Sequence, residues 1–181
     1  MVSPVIVQGI GFVAVGVSLC IFQTNKRKNM LLLSLAASLL YTAHFFLLGA
    51  ITGSAMNLSG AVRSYVYYRV KPSRKNTWIV VAFLAVTVVA MALTWQGMTS
   101  LLPMVGTVSG VVAYWQRKPK LIRRLGLISP PAWFAYNAVS GSYAGMFIEV
   151  INLSSNLIGQ YRFDLPKGSR YRKLLRLARP A

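Results

Sequence analysis

Tyr41-Thr-Ala-His44-Phe-Phe-Leu-Leu-Gly49-Ala-Ile-Thr-Gly53-Ser-Ala-Met-Asn57 decides how the rest of the chain reads. It is two apolar helical arms meeting at an uncharged turn, 49–53, with His44 on one arm and Asn57 on the other. Polar side chains facing lipid are costly, so groups inside an apolar hairpin face a bundle interior or a wet cavity. A variant of the hairpin returns later: His44, Gly49 and Gly53 sit over Tyr136, Gly141 and Gly145 at an offset of 92. The chain is therefore expected to fold around the pairing of two such hairpins.

Composition points the same way. Mean hydropathy is +0.54 and 12% of residues are charged, about half the share usual in soluble domains. Glu149 and Asp164 are the two acids against 20 Lys and Arg, for a net charge of +18. These basic residues fall between and after apolar runs, without an aromatic-interleaved groove, so nucleic acid is not the expected partner. One Cys (Cys20) and one His exclude an internal disulfide and a metal-ligand cluster. Neither a catalytic triad nor a carboxylate pair can be assembled, so no enzyme and no cofactor are expected. Lys26, Arg27 and Lys28 follow the first apolar run and nothing basic precedes it, the reverse of a secretory signal. That run is expected to remain as a spanning helix.

Seven spans can be drawn, at about 5–22, 30–48, 52–69, 77–95, 101–116, 124–140 and 143–161. They lack the alternation of a barrel strand, which leaves an all-α integral membrane protein. Basic residues cluster in alternate loops: Lys26 to Lys28, then Arg69 to Lys75, then Arg117 to Arg124, then the tail from Arg162 to Arg179. The turns at 49–53, 96–100 and 140–145 carry none. The positive-inside rule then sets the N-terminus outside and the C-terminus inside. Arg63 lies within the third span, in its inner half, where it is expected to snorkel toward the cytoplasm.

The repeat extends beyond the hairpins. Ile6 to Gly11 sits over Leu101 to Gly106 at an offset of 95. Asn57 falls opposite Asn152 at 95 or opposite Glu149 at 92, and both registers remain open. Both copies hold three helices and start on the same side, so the repeat is parallel, with the fourth span as linker. The expected units are a first three-helix bundle at 1–76, a linker helix at 77–100, a second bundle at 101–163 and a basic cytoplasmic tail at 164–181.

This layout resembles the SWEET and PQ-loop superfamily, in which two three-helix bundles flank an inversion-linker helix. Gln8-Gly9-x-Gly11, His44 to Gly49, Leu101-Leu102-Pro103-x-x-Gly106-Thr107, Trp133 and Glu149 resemble the YgjV-type bacterial inner-membrane proteins over nearly the whole chain to about Phe163. The Pro-Gln dipeptide that names the PQ-loop group does not occur. The resemblance implies a multi-pass protein of the bacterial inner membrane and a transporter fold. It also embraces a retrieval receptor, so a membrane receptor, scaffold or assembly factor is the competing expectation.

The candidate solute site follows. The SWEET resemblance implies a substrate-facing Asn on the third helix of each bundle, here Asn57 and Asn152; helix–helix glue is the alternative role. His44 and Tyr136 are expected at similar depth beside them, with Asn137 adjoining. Trp133 and Tyr41 could stack on a ring of the solute or anchor at the interface. Glu149, an intramembrane acid, is the candidate coupling group for a proton or cation. Gln8 and Pro103, at matching repeat positions, and Pro130 with Pro131 are the candidate gates and hinges, since proline kinks a helix interior. The expected function is alternating-access transport of a small polar solute, facilitated or proton-coupled, by a monomer or homodimer. The basic tail is expected on anionic lipid.

Overall fold

A computed structural model describes residues 3–165, and this part of the chain is helical with no strand among the described residues. Eight α-helices follow one another: α1 Pro4–Ile21, α2 Arg27–Leu47, α3 Ile51–Arg69, α4 Trp78–Leu93, α5 Leu101–Trp115, α6 Pro119–Leu125, α7 Ser129–Val139 and α8 Tyr143–Phe163. Short 3-10 turns precede α4 and α5. Within this set four segments are long and apolar enough to cross a membrane: Pro4–Ile21, Arg27–Leu47, Arg74–Leu93 and Met98–Trp115.

The remaining expected spans differ from these for a physical reason. α3 and α8 are long enough, at 19 and 21 residues, but both are inside-out. α3 buries Thr52, Ser54, Ser59, Arg63 and Ser64 and exposes Leu58, Val62 and Tyr65. α8 exposes Phe147, Val150, Leu153, Leu157 and Ile158 while burying Ser155 and Asn156. Their average hydropathy is low because their polar faces point inward. The expected span at 124–140 is two helices, α6 and α7, separated at 126–128. Pro130 and Pro131 begin α7 instead of kinking it, and Pro103 lies in the first turn of α5. A first-turn proline costs no helical hydrogen bond, so none of the three bends a helix interior as expected.

The helices close a ring. α1 packs on α2, α2 on α3, α3 on α5, α5 on α7, α7 on α8, and α8 returns to α1. α6 touches α5 and α8. α4 packs outside the ring on α3 and α5, and buries only Ile79, Phe83 and Thr87. One end of the ring carries the basic loops, 22–26, 70–77 and 116–118. The other carries the uncharged turns 48–50, 94–100 and 140–142. We call these the basic and the neutral end.

The two hairpin turns at the neutral end are copies. Ala50 N–H reaches Phe45 O at 2.9 Å and Ser142 N–H reaches Asn137 O at 3.0 Å. Gly49 and Gly141 take φ of +72° and +67° between those bonds. This is the six-to-one closure of a helix C-terminus, which needs a left-handed residue and favours glycine. The two bonds and the two glycines are each 92 apart, which settles the register of the hairpins: Asn57 stands opposite Glu149. Replacing Gly49 or Gly141 by Ala should cost about 1–2 kcal/mol each. Gly16→Ala, in a helix with open space around it, should be neutral or stabilising. Thermal unfolding in detergent checks both outcomes.

Candidate functional site

The ring encloses a cavity of about 150 Å³, with walls drawn from every helix except α4. That is room for several waters or a small solute. Its polar lining includes Ser34, Tyr41, Asn57, Arg63, Thr107, Tyr114, Asn137, Glu149 and Asn152, and its apolar lining includes Phe45, Met56, Trp133 and Ile148. Several polar atoms there are buried without a hydrogen-bond partner among the described residues: Asn137 Oδ1, Asn152 Oδ1 and Arg63 Nε. The Tyr41 hydroxyl lies near Ser18 but closes no hydrogen bond of good geometry. Buried polar atoms are ordinarily paired, so an unpaired group calls for water or a ligand.

At the neutral end the cavity is roofed by aromatic rings. Phe45 packs on Trp133 and Tyr136, with centroids 5.8 and 5.9 Å away, and Tyr41 lies 6.2 Å from Phe45. Two contacts tie the first-half helices to the second there. His44 on α2 binds Val7 O through Nδ1 and Ser142 Oγ through Nε2, both at 2.9 Å. A carbonyl only accepts, so Nδ1 carries the proton and Nε2 accepts from the hydroxyl. Tyr136 on α7, the repeat partner of His44, accepts at its hydroxyl from Gly53 N–H at 2.9 Å. Gly53 is required at that point, because a Cβ would stand 2.6 Å from the Tyr136 ring. Each second helix of the repeat thus reaches the start of the other half's third helix.

The basic end shows the same reciprocity with arginines. Arg27, at the start of α2, donates to Tyr67 O near the end of α3 at 3.0 Å. It also donates to Gln116 O and Tyr114 O at the end of α5, at 3.0 and 3.2 Å. Arg123 on α6 is fully buried; it forms an ion pair with Asp164, just past α8, at 2.9 and 2.5 Å. It also donates to Thr24 O and Asn25 Oδ1, just past α1, at 3.4 and 3.1 Å. Each of these arginines clamps the end of its own third helix to the end of the other half's first helix.

The family described as Imp-YgjV, bacterial inner membrane protein, matches residues 5–167. The chain belongs to the YgjV family. It is 27% identical over 158 residues to inner membrane protein YgjV of Escherichia coli (strain K12), covering 86% of this chain and 83% of that protein. No solved structure matches the chain. This YgjV-family chain is therefore a protein of the bacterial inner membrane, consistent with its broad outward-facing apolar surface.

Of the residues the sequence singled out, the YgjV-family fold brings Tyr41, Asn57, Pro130, Trp133, Asn137, Glu149 and Asn152 to the cavity wall. Asn57 Nδ2 is spent on Gly53 O at 3.0 Å, and Glu149 faces the Asn152 amide. His44 and Tyr136 are not in the wall; they are the neutral-end ties. Gln8, with Oε1 buried and unpartnered, Pro103 and the exposed Pro131 also lie away from it. Arg63 does not snorkel. It is 5% exposed and turned into the cavity, with its guanidinium 5.0 Å from the Tyr114 ring centre. The basic tail beyond 165, expected on anionic lipid, lies outside the described residues.

Sequence reasoning counted Arg27 and Arg123 only among the basic residues that set orientation, and gave Asp164 no partner. Asp164, standing among basic residues in a chain with two acids, was the available signal. Arg123→Ala should destabilise the fold by about 3–5 kcal/mol, because it strands the Asp164 carboxylate. Lys120→Ala, on the exposed face, should change little. Melting in detergent micelles distinguishes the two.

Proposed function

We propose that this protein moves a small polar solute across the inner membrane by alternating access between two three-helix bundles. In this reading α1 to α3 form the first bundle and α5 to α8 the second, with α6 and α7 together making one crossing and α4 serving as linker. The basic end faces the cytoplasm by the positive-inside rule. The observation that carries the reading is the cavity between the halves, lined by unpartnered polar atoms and bounded at each end by a reciprocal pair of ties. A rocking mechanism needs a central site and two gates that break alternately. His44 with Tyr136 would be one gate, and Arg27 with Arg123 the other. The likeness of the three-plus-one-plus-three layout to SWEET transporters supports the same conclusion.

A second reading, a non-transporting receptor or scaffold, is favoured by one specific feature. His44 has both ring nitrogens satisfied in a closed network, as a rigid assembly core would have.

Cysteine accessibility separates the readings. In a Cys20→Ser background, single cysteines at Asn57 and Asn152 should react with an impermeant thiol reagent from both faces, in intact spheroplasts and in inverted vesicles. Labelling from neither face would mean a sealed core and would support the scaffold. For a solute whose flux depends on pH, Glu149→Gln should remove that dependence; retention of it would exclude Glu149 as the coupling group.

A further inference from the structure

Arg63 and Glu149 each leave an unmet electrostatic demand in the same cavity. The Arg63 side chain is 5% exposed, Nε has no partner, and Nη2 reaches only Ser64 Oγ at 3.5 Å. The chain owns two acids, and Asp164 is held by Arg123. Among the described residues the Arg123–Asp164 pair is the ion pair formed, so Glu149 does not reach Arg63. A buried charge without a partner is strongly unfavourable, and removing that penalty is a ready source of binding selectivity.

The two groups lie at different depths. α3 and α8 both start at the neutral end; Arg63 is twelve residues past Ile51, and Glu149 is six past Tyr143. At 1.5 Å per residue the axial offset is about 9 Å. Around Glu149 the unpartnered Asn152 Oδ1 and the Tyr41 hydroxyl supply further oxygens, a set that suits the three N–H donors of an ammonium. Arg63 offers an unpartnered Nε–H beside an Nη2 held only by Ser64 Oγ at 3.5 Å, an edge that suits bidentate pairing with a carboxylate. Met56 and Trp133 contribute apolar wall.

We propose that the cavity binds a zwitterion whose ammonium and carboxylate are separated by a short chain. The carboxylate pairs with Arg63, the ammonium with Glu149, and the methylenes lie against the apolar wall. An amino acid with both charges on one carbon is too short to satisfy both groups. This rests on the proposed function only in taking the cavity as the solute site.

The test is calorimetric titration of the purified full chain in detergent with ω-amino acids of increasing chain length. The comparison ligands are glycine, glycerol, and the alkylamine and alkanoate of matching length. The zwitterions should show an optimum in length and bind about tenfold tighter than amine, alkanoate or glycine. Arg63→Gln should erase the advantage over the amine, and Glu149→Gln the advantage over the alkanoate. Should either variant fail to fold, the length optimum in the unaltered protein still decides. Equal binding by the singly charged ligands, binding by glycerol alone, or no binding by any ligand overturns the proposal. Cysteine labelling from both faces alongside such a result would leave transport standing and sink only the zwitterion. Zwitterion binding without labelling would do the reverse.

Discussion

A buried arginine needs an anion or a set of carbonyls, and this chain has almost no anions to give. That scarcity organises the structure. Arg123 takes Asp164, one of only two carboxylates. Half-buried Arg27 instead takes backbone carbonyls at helix ends, those of Tyr67, Tyr114 and Gln116. The carbonyls at helix ends are the natural substitute. They are the unsatisfied acceptors of the last turn, at the negative pole of the helix dipole. Basic residues at the basic end of the ring thereby fasten helix ends together. Among the described residues, Arg63 is a buried arginine bonded to neither a carboxylate nor a helix-end carbonyl.

The repeat turns single contacts into pairs. His44 and Tyr136 differ in chemistry, yet each stands at the same place in its hairpin and reaches the opening turn of the opposite third helix. Arg27 and Arg123 are not aligned in sequence, but they bridge equivalent helix ends. Equivalent places touch in the two halves although the touching atoms differ. The cavity lining differs as well, with an amide, Asn57, opposite a carboxylate, Glu149. An asymmetric lining on a symmetric frame gives a bound molecule one orientation, which a pair of identical walls cannot do.

Much of the fold was legible in the text. Gly49 and Gly141 mark the hairpins because only their backbones accept the left-handed turn cheaply. The cavity lining was legible in part, since Asn57, Trp133, Glu149 and Asn152 stand out as polar or aromatic residues among apolar neighbours. What was not legible were the facing and the partner. His44 reads as a solute ligand until its two nitrogens are found filled by Val7 and Ser142, residues 37 and 98 positions away. Arg63 reads as snorkelling because sequence gives its depth and not its azimuth. The break between α6 and α7 was hidden by two prolines that fit a kink and a helix start equally well.

The two ends of the cavity are not equally strong. The neutral-end ties are hydrogen bonds between uncharged groups, each worth about 0.5–1.5 kcal/mol net. The basic-end ties engage guanidinium groups, with four hydrogen bonds that cross from Arg27 to Gln116 O and Tyr114 O and from Arg123 to Thr24 O and Asn25 Oδ1, and charge-assisted bonds are roughly twice as strong. A bundle of this kind that rocks would part at the neutral end first. Opening at the basic end would require solvation of Arg27 as it leaves Tyr114 and Gln116 and of Arg123 as it leaves Thr24 and Asn25, and water is available at that end. Within the proposed mechanism the difference lies in hydration: the neutral-end gate opens by breaking weak bonds, and the basic-end gate opens by exchanging strong ones for water.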